Sequence, residues 1–316
     1  MSTGIISHCK SWVDKHEPLI KDLKHSVYLF RKSFVAMMGL AIILFVVIIA
    51  IIAPWISIQH PGYQSVNTEQ GTVRVEERWD INFSESLQPP SFKHPFGTDD
   101  YGRDLYSMII YGSRTSLRIG LVVVSVAMLI GISLGGIAGY MGGKIDEIIM
   151  RIADIFLAIP GLILAMVIVS ALGRSLDNIM YAMTVVWWPG YARLMRGQTI
   201  SIKENQYVEA ARSVGSRSLR IIYRHILPNA LSPLIVEVTL DLGAVILVAA
   251  GLSFLGLGAS PGTAEWGLMI STGRNHILHA WWYPTFPGIA ILLTVLGFSL
   301  FGDGLNDVLD PRLRRR

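Results

Sequence analysis

The sequence predicts an all-α polytopic membrane protein with six membrane-spanning helices. Three observations carry that reading. Of 316 residues, 52% are hydrophobic and only 16% are charged, with a mean hydropathy of +0.48, far to the apolar side of a soluble domain. The apolar residues fall in long uncharged runs, and lysine and arginine gather at the ends of those runs. That placement turns the formal net charge of +4 away from nucleic acid and toward a lipid surface. The single cysteine, Cys9, excludes an intrachain disulfide and any Cys-based metal site.

Residues 1–33 form a polar N-terminal segment with Lys10, Lys15, Lys21, Lys24, Arg31 and Lys32. The first apolar run begins at Phe34 and is too long for a signal-peptide core, so residues 34–57 are expected as an uncleaved first span. As a helix this stretch covers about 36 Å. Residues 58–113 are hydrophilic and turn-rich, with Pro61-Gly62, Pro89-Pro90 and the acidic Glu76, Glu77, Asp80 and Glu85. Such a segment is too poor in apolar residues for its own core and is expected to pack on the membrane portion.

Residues 114–311 hold the other five spans. The second, 119–143, carries Gly131, Gly135, Gly136 and Gly139, which suit close helix contact. The third covers 148–172, where Asp154 is expected to pair with Arg151 one turn away. The fourth, 179–195, is interrupted by Pro189-Gly190, and Arg193 and Arg196 snorkel from its end. The fifth covers 230–257 and the sixth 284–305, separated by an outer loop with Trp266, Trp281 and Trp282 at interfacial depth. A basic tail, 312–316, ends the chain. With this layout 19 of the 27 lysines and arginines lie on the side of both termini and 8 on the other, which puts the termini in the cytoplasm.

The one long polar interruption among the later spans, within 197–229, has two amphipathic pieces. Ser201 and Glu204 offer a capping box. Tyr207, Ala211 and Val214 then share a helix face, and Gly215 stands where a left-handed cap would stop the helix. In a second helix Leu219, Ile222 and Ile226 lie opposite Arg217, Arg220 and Arg224, and Pro228 closes it. A basic helix on anionic headgroups is one reading of this pattern. Its spacing offers another: Glu209-Ala210-Ala211, Gly215 and Ile226-Leu227-Pro228 resemble the EAA loop of ABC-importer permeases, with His225 where an aliphatic residue is usual.

Further stretches resemble the DppC/OppC type of these permeases. They are the run Phe96-Gly97-Thr98-Asp99-Asp100-Tyr101-Gly102-Arg103-Asp104, Ser253-Phe254-Leu255-Gly256-Leu257-Gly258 with Glu265-Trp266-Gly267, and Gly302-Asp303-Gly304-Leu305 leading to Leu309-Asp310-Pro311. The resemblance covers residues 30–314 and implies a type I ABC-importer permease fold with 114–311 as its core. It also implies that Tyr207, Glu209, Ala210, Ala211, Gly215, Leu227 and Pro228 dock a cytoplasmic ATPase. The partners it implies are a second, DppB/OppB-like permease subunit, two ATPases that bind ATP and Mg, and an extracytoplasmic substrate-binding protein. The solute class would be di- or oligopeptides. The same machine also serves nickel chelates, glutathione or oligosaccharides.

The residues themselves point to no nucleotide site in this chain. Gly142-Gly143-Lys144 approaches a phosphate loop, but Ala138 and Ile145 stand where glycine and Ser/Thr are required. His276 and His279 lack a third ligand for a metal. Charges at membrane depth are the candidates for solute contact. Glu237 and Asp241, four apart, form either an acidic patch on the translocation path or partners for a basic group of the second subunit, or they sit in water near the cytoplasmic end. Asp303 and Asp307 either frame an inner gate or are solvated helix-end carboxylates. Asp99, Asp100, Arg103 and Asp104 either seal the outer mouth, or touch the binding protein, or make a turn before a helix. A reading of another class, an ion-coupled carrier or intramembrane enzyme, calls for internal repeats or a mid-membrane catalytic constellation, and neither is visible.

Overall fold

The computed structural model describes residues 28–67 and 73–309. Lys10, Lys15, Lys21 and Lys24, Cys9, the Asp310-Pro311 motif and the basic tail lie outside them.

Helix α1, Phe34–Ile56, starts where Ser33 accepts the Ala36 amide and carries no charge along its 23 residues. A β-hairpin of β1, Gly62–Asn67, and β2, Val73–Arg78, follows, with Gly62 opposite Arg78 and Asn67 opposite Val73. This short hairpin departs from a fold that is otherwise helical, as expected. Alternation in Val73-Arg74-Val75-Glu76 is the strand signal that the turn-rich reading passed over. The remainder of the outer segment packs down as expected: Trp79 is buried and meets the Tyr111 ring edge-on at 5.5 Å.

Helix α2, Leu105–Met141, has 37 residues and begins fourteen positions before the apolar stretch, because Asp104 caps it by accepting the Ser107 amide at 2.8 Å. At about 55 Å it is longer than the hydrocarbon core of a bilayer. Helices α3, Gly143–Ala158, and α4, Gly161–Leu172, meet at a bend of 90°, where one span was expected. The cause is Pro160, which lacks an amide hydrogen and drives Ile159 to an extended conformation (φ −97°, ψ 131°).

The opposite correction applies to α5, Leu176–Lys203, which stays helical through Pro189. Inside a packed bundle, neighbouring groups compensate the lost hydrogen bond. Four helices among the described residues are long and apolar enough to cross a membrane, five if α3 and α4 together make one crossing. Helix α5 has 28 residues but is more polar.

The polar stretch after α5 then folds as α6, Gln206–Ser213, and α7, Ser218–Ile221, and leads into α8, Leu227–Phe254. Helix α9, Trp266–Gly273, lies outside the spans, and α10, Trp282–Leu309, is the last. Trp266 and Trp282 are buried within the protein, donating to the Ile109 and Thr98 carbonyls at 2.9 and 3.3 Å. Of the three, Trp281 is largely exposed, at 54%.

Small residues set the helix contacts. On α1 and α10, Gly39 faces the Gly297–Phe301 backbone, and Gly304 lies on Ala36. On α2, Gly131, Gly135 and Gly139 lie against the α5 backbone from Trp188 to Thr199, so close that an added Cβ at Gly135 would collide with the Ala192 carbonyl. Gly135→Val is therefore expected to destabilise the protein by about 1–3 kcal/mol through overpacking. Thermal denaturation in detergent, followed by size-exclusion profile, checks this against Gly190→Ala, where nothing lies within 4 Å.

Candidate docking and translocation site

Docking begins with how α6 is held. Ser201 is still inside α5 and Glu204 caps its C-terminus, so the expected capping box does not form; Asn205, extended at φ −73° and ψ 144°, precedes α6 instead. The α6 residue that turns inward is Val208, fully buried with Ile202, Ile221, Ile222, Ile226 and Leu234. The face expected to be apolar and shared is largely presented outward, with Tyr207 44% and Val214 81% exposed and Ala211 half-buried. Leu219 is likewise exposed, while Ile222 and Ile226 are buried.

Gly215 does stop the helix in the left-handed region, at φ +78°. Its amide donates to the Arg212 carbonyl at 2.9 Å and that of Ser216 to Ala211 at 3.1 Å, closing the last turn as a glycine cap does. Pro228 does not close the second helix. One π turn over Ile222–Ile226 carries α7 directly into α8, and Pro228 falls in the first turn of α8, where no amide hydrogen is needed. The result is a short, exposed knob. Glu209, Ala210, Gly215 and Pro228 are exposed, and Ala211 and Leu227 are half-buried at its base.

The knob is fastened to the membrane helices by groups that sequence spacing did not pair. Arg196 of α5 grips Asp146 of α3 with two bonds of 2.5 and 2.6 Å. Lys203 donates to the Gly139 carbonyl at the end of α2, at 2.9 Å. Arg212 of α6 lies 5.6 Å from the Tyr140 ring centre. The expected Arg151–Asp154 pair is absent: Asp154 accepts from Arg193 at 2.5 Å, and Arg151 reaches Glu147 at 3.3 Å. The hydrogen-bonded partners on different helices are 39 to 64 residues apart, beyond any local periodicity.

Glu237 and Asp241 do share a region of α8. Glu237 is exposed, and half-buried Asp241 faces Tyr191 and Trp187 of α5. Asp303 and Asp307 are exposed on the last turns of α10. In the outer segment, Asp99, Arg103 and Asp104 point inward. Asp99 accepts from the Tyr101 and Arg103 amides and from Arg103 Nε at 2.6 Å. Burial pushes the Asp99 carboxyl up, against the pull of Arg103. Asp104 accepts from Ser107 Oγ at 2.6 Å and lies 2.9 Å from His94 Nδ1. Asp100 accepts the Tyr283 hydroxyl at 3.1 Å. Buried Glu265, whose carboxyl burial also pushes up, caps α9 through the Gly267 and Leu268 amides at 2.8 and 2.7 Å.

Comparison with known proteins places this architecture. Residues 131–315 match the family described as binding-protein-dependent transport system inner membrane component, and residues 24–90 match the N-terminal membrane domain of oligopeptide transport permease C. The dipeptide transport system permease protein DppC of Alkalihalophilus pseudofirmus is 45% identical over 284 residues, covering 90% of this chain and 88% of its own. DppC of Bacillus subtilis is 41% identical, covering 90% and 84%. The glutathione transport system permease protein GsiD of Pectobacterium atrosepticum is 45% identical, covering 71% and 75%. A chain of the MetNI methionine ABC transporter, in an inward-facing conformation, shares the fold with a TM-score of 0.54 at 19% identity, covering 64% of this chain and 96% of that one.

The Arg196–Asp146 clamp is partly exposed, with side chains at 37% and 17%, and is expected to contribute about 1 kcal/mol. Thermal unfolding of Arg196→Ala, Asp146→Ala and the double variant should show the double losing little more than either single; additive losses would mean that the pair does not act as a unit. The chain belongs to the binding-protein-dependent transport system inner membrane components, as a permease of the DppC/OppC type.

Proposed function

We propose that this chain is one of two permease subunits of an ATP-driven importer for di- or oligopeptides, crossing the membrane six times with both termini in the cytoplasm. The observation that carries the proposal is the exposed knob of α6 and Gly215, built on a buried Val208 base. It presents a carboxylate beside two alanines on the side where lysine and arginine gather. A small-residue pair lets a short helix seat closely in a groove, and Glu209 supplies a charged bond to a basic partner. That partner is a cytoplasmic ATPase, which holds ATP and Mg; a second permease, DppB/OppB-like, supplies the other half of the path. An extracytoplasmic binding protein delivers solute to the outer side, where Asp99, Asp100, Arg103 and Asp104 organise the mouth. Asp303 and Asp307 stand at the inner end. The names of the relatives support peptides, including the tripeptide glutathione.

On the path, Glu237 and Asp241 offer negative charge to a peptide's ammonium group. In the reconstituted complex, Glu237→Gln with Asp241→Asn is expected to raise KM at least tenfold for peptides with a free amino terminus and to leave amino-acetylated peptides unchanged, as loss of a charged hydrogen bond predicts. Equal kinetics for both peptide types would dismiss the acidic patch. Glu209→Lys reverses the docking charge, and Gly215→Pro forbids the φ of +78°. Each should leave membrane insertion intact and abolish uptake and transport-coupled ATP hydrolysis. Normal uptake by both variants would remove the docking role.

A further inference from the structure

Two arginines in the outer half of α2 take part in none of the contacts described above. Arg114 and Arg118 are both exposed, and neither has a hydrogen bond, ion pair or ring contact among the described residues. Their depth follows from the glycine contacts. Gly120 of α2 lies against Leu242 and Ile246 of α8, Gly243 of α8 against Val295 and Phe298 of α10, and Gly297 of α10 against Ile42 and Ile43 of α1. These contacts set Gly120 level with the middle of α1, the uncharged 23-residue span. Arg118 lies half a turn outward of that level and Arg114 one turn further. From Ile43 to the outer end of α1 at Ile56 is about 20 Å, which leaves Arg114 about 11 Å and Arg118 about 17 Å below that end; the latter is further than an arginine snorkels.

An arginine at that depth is costly against acyl chains and is normally paired or hydrated. The carboxylates of the other spans are placed elsewhere: Asp146 and Asp154 bind Arg196 and Arg193, Asp241 faces Tyr191 and Trp187, and Glu237 is exposed on α8. The same α2 face continues with Leu121, Ser125 and Leu129, all exposed, at helical spacing from Arg114 and Arg118. An apolar stripe with a small residue is a seat for another helix.

We propose that this face of α2 is covered by the second permease subunit, through a membrane helix that presents carboxylates to Arg114 and Arg118. Two guanidinium forks donate bidentately to such carboxylates and fix the register of the two subunits. The inference rests on the two-permease reading above. It assigns α2 to the subunit interface and leaves the acidic face of α8 to the path.

The test uses the whole complex, purified through this chain. Arg114→Leu with Arg118→Leu is expected to cut the recovered second permease at least tenfold, while Arg114→Lys with Arg118→Lys, which keeps the charge and loses the fork, is expected to recover more than the leucine variant and less than wild type. A photoreactive residue at Ser125, with both arginines intact, should cross-link to the second permease, identified by peptide mass mapping. Full recovery with the leucine variant, or a cross-link only to lipid or to another copy of this chain, would overturn the proposal. A wild-type preparation without any second permease would instead refute the two-permease reading and this interface with it.

Discussion

The close approach of α2 to α5 is the contact on which the remaining geometry depends. Lipid tails are as apolar as leucine, so helices in a bilayer gain little from burying apolar surface against each other. They associate through close packing and polar contacts. Here Gly131, Gly135 and Gly139 bring α2 onto the backbone of α5. At the end of that seam, Lys203 binds the Gly139 carbonyl, Arg196 grips Asp146, and Arg212 stacks over Tyr140. The knob follows directly from the end of α5. A push on α6 therefore reaches α2, α3 and α5 through packed glycines and charged bonds instead of a loose loop.

Continuity on the other side of the knob serves the same end. A proline after a helical stretch ordinarily reads as a stop, yet Pro228 sits in the first turn of α8, and the π turn before it passes the helix on unbroken. The knob is thus fixed at both ends to membrane helices, α5 before it and α8 after it. Helix α8 is also the one that carries Glu237 and Asp241, with Asp241 against α5. From Ser218 onward the knob and these carboxylates thus belong to one continuous helical unit. The 90° bend between α3 and α4 lies beside this unit, since Asp146 and Asp154 of α3 are both held by arginines of α5.

Sequence made some of this visible and hid the rest for physical reasons. The spans of α1, α8 and α10 were legible because uncharged apolar runs admit few alternatives, and Gly215 was legible because a stop after an amphipathic turn calls for a left-handed residue. Prolines misled in both directions. Pro189 and Pro228 are absorbed by helices, whereas Pro160 bends its segment, and the difference lies in tertiary surroundings that a local pattern does not carry. The inward role of Val208 was hidden because Tyr207 and Val214 fit a helical face equally well, and only the packing of α7 and α8 selects between them. Ion pairs such as Arg193–Asp154 join residues 39 apart, so the nearer Arg151 was the natural but mistaken partner for Asp154.

The central claim is that a cytosolic nucleotide-hydrolysing subunit grips this chain at the exposed knob. Its most direct measurement places a photoreactive side chain at Tyr207, 44% exposed on the knob, in the complete complex within native membranes. The account predicts an adduct with the ATPase, and with no protein on the outer side. An adduct confined to lipid or to the extracytoplasmic binding protein would contradict it.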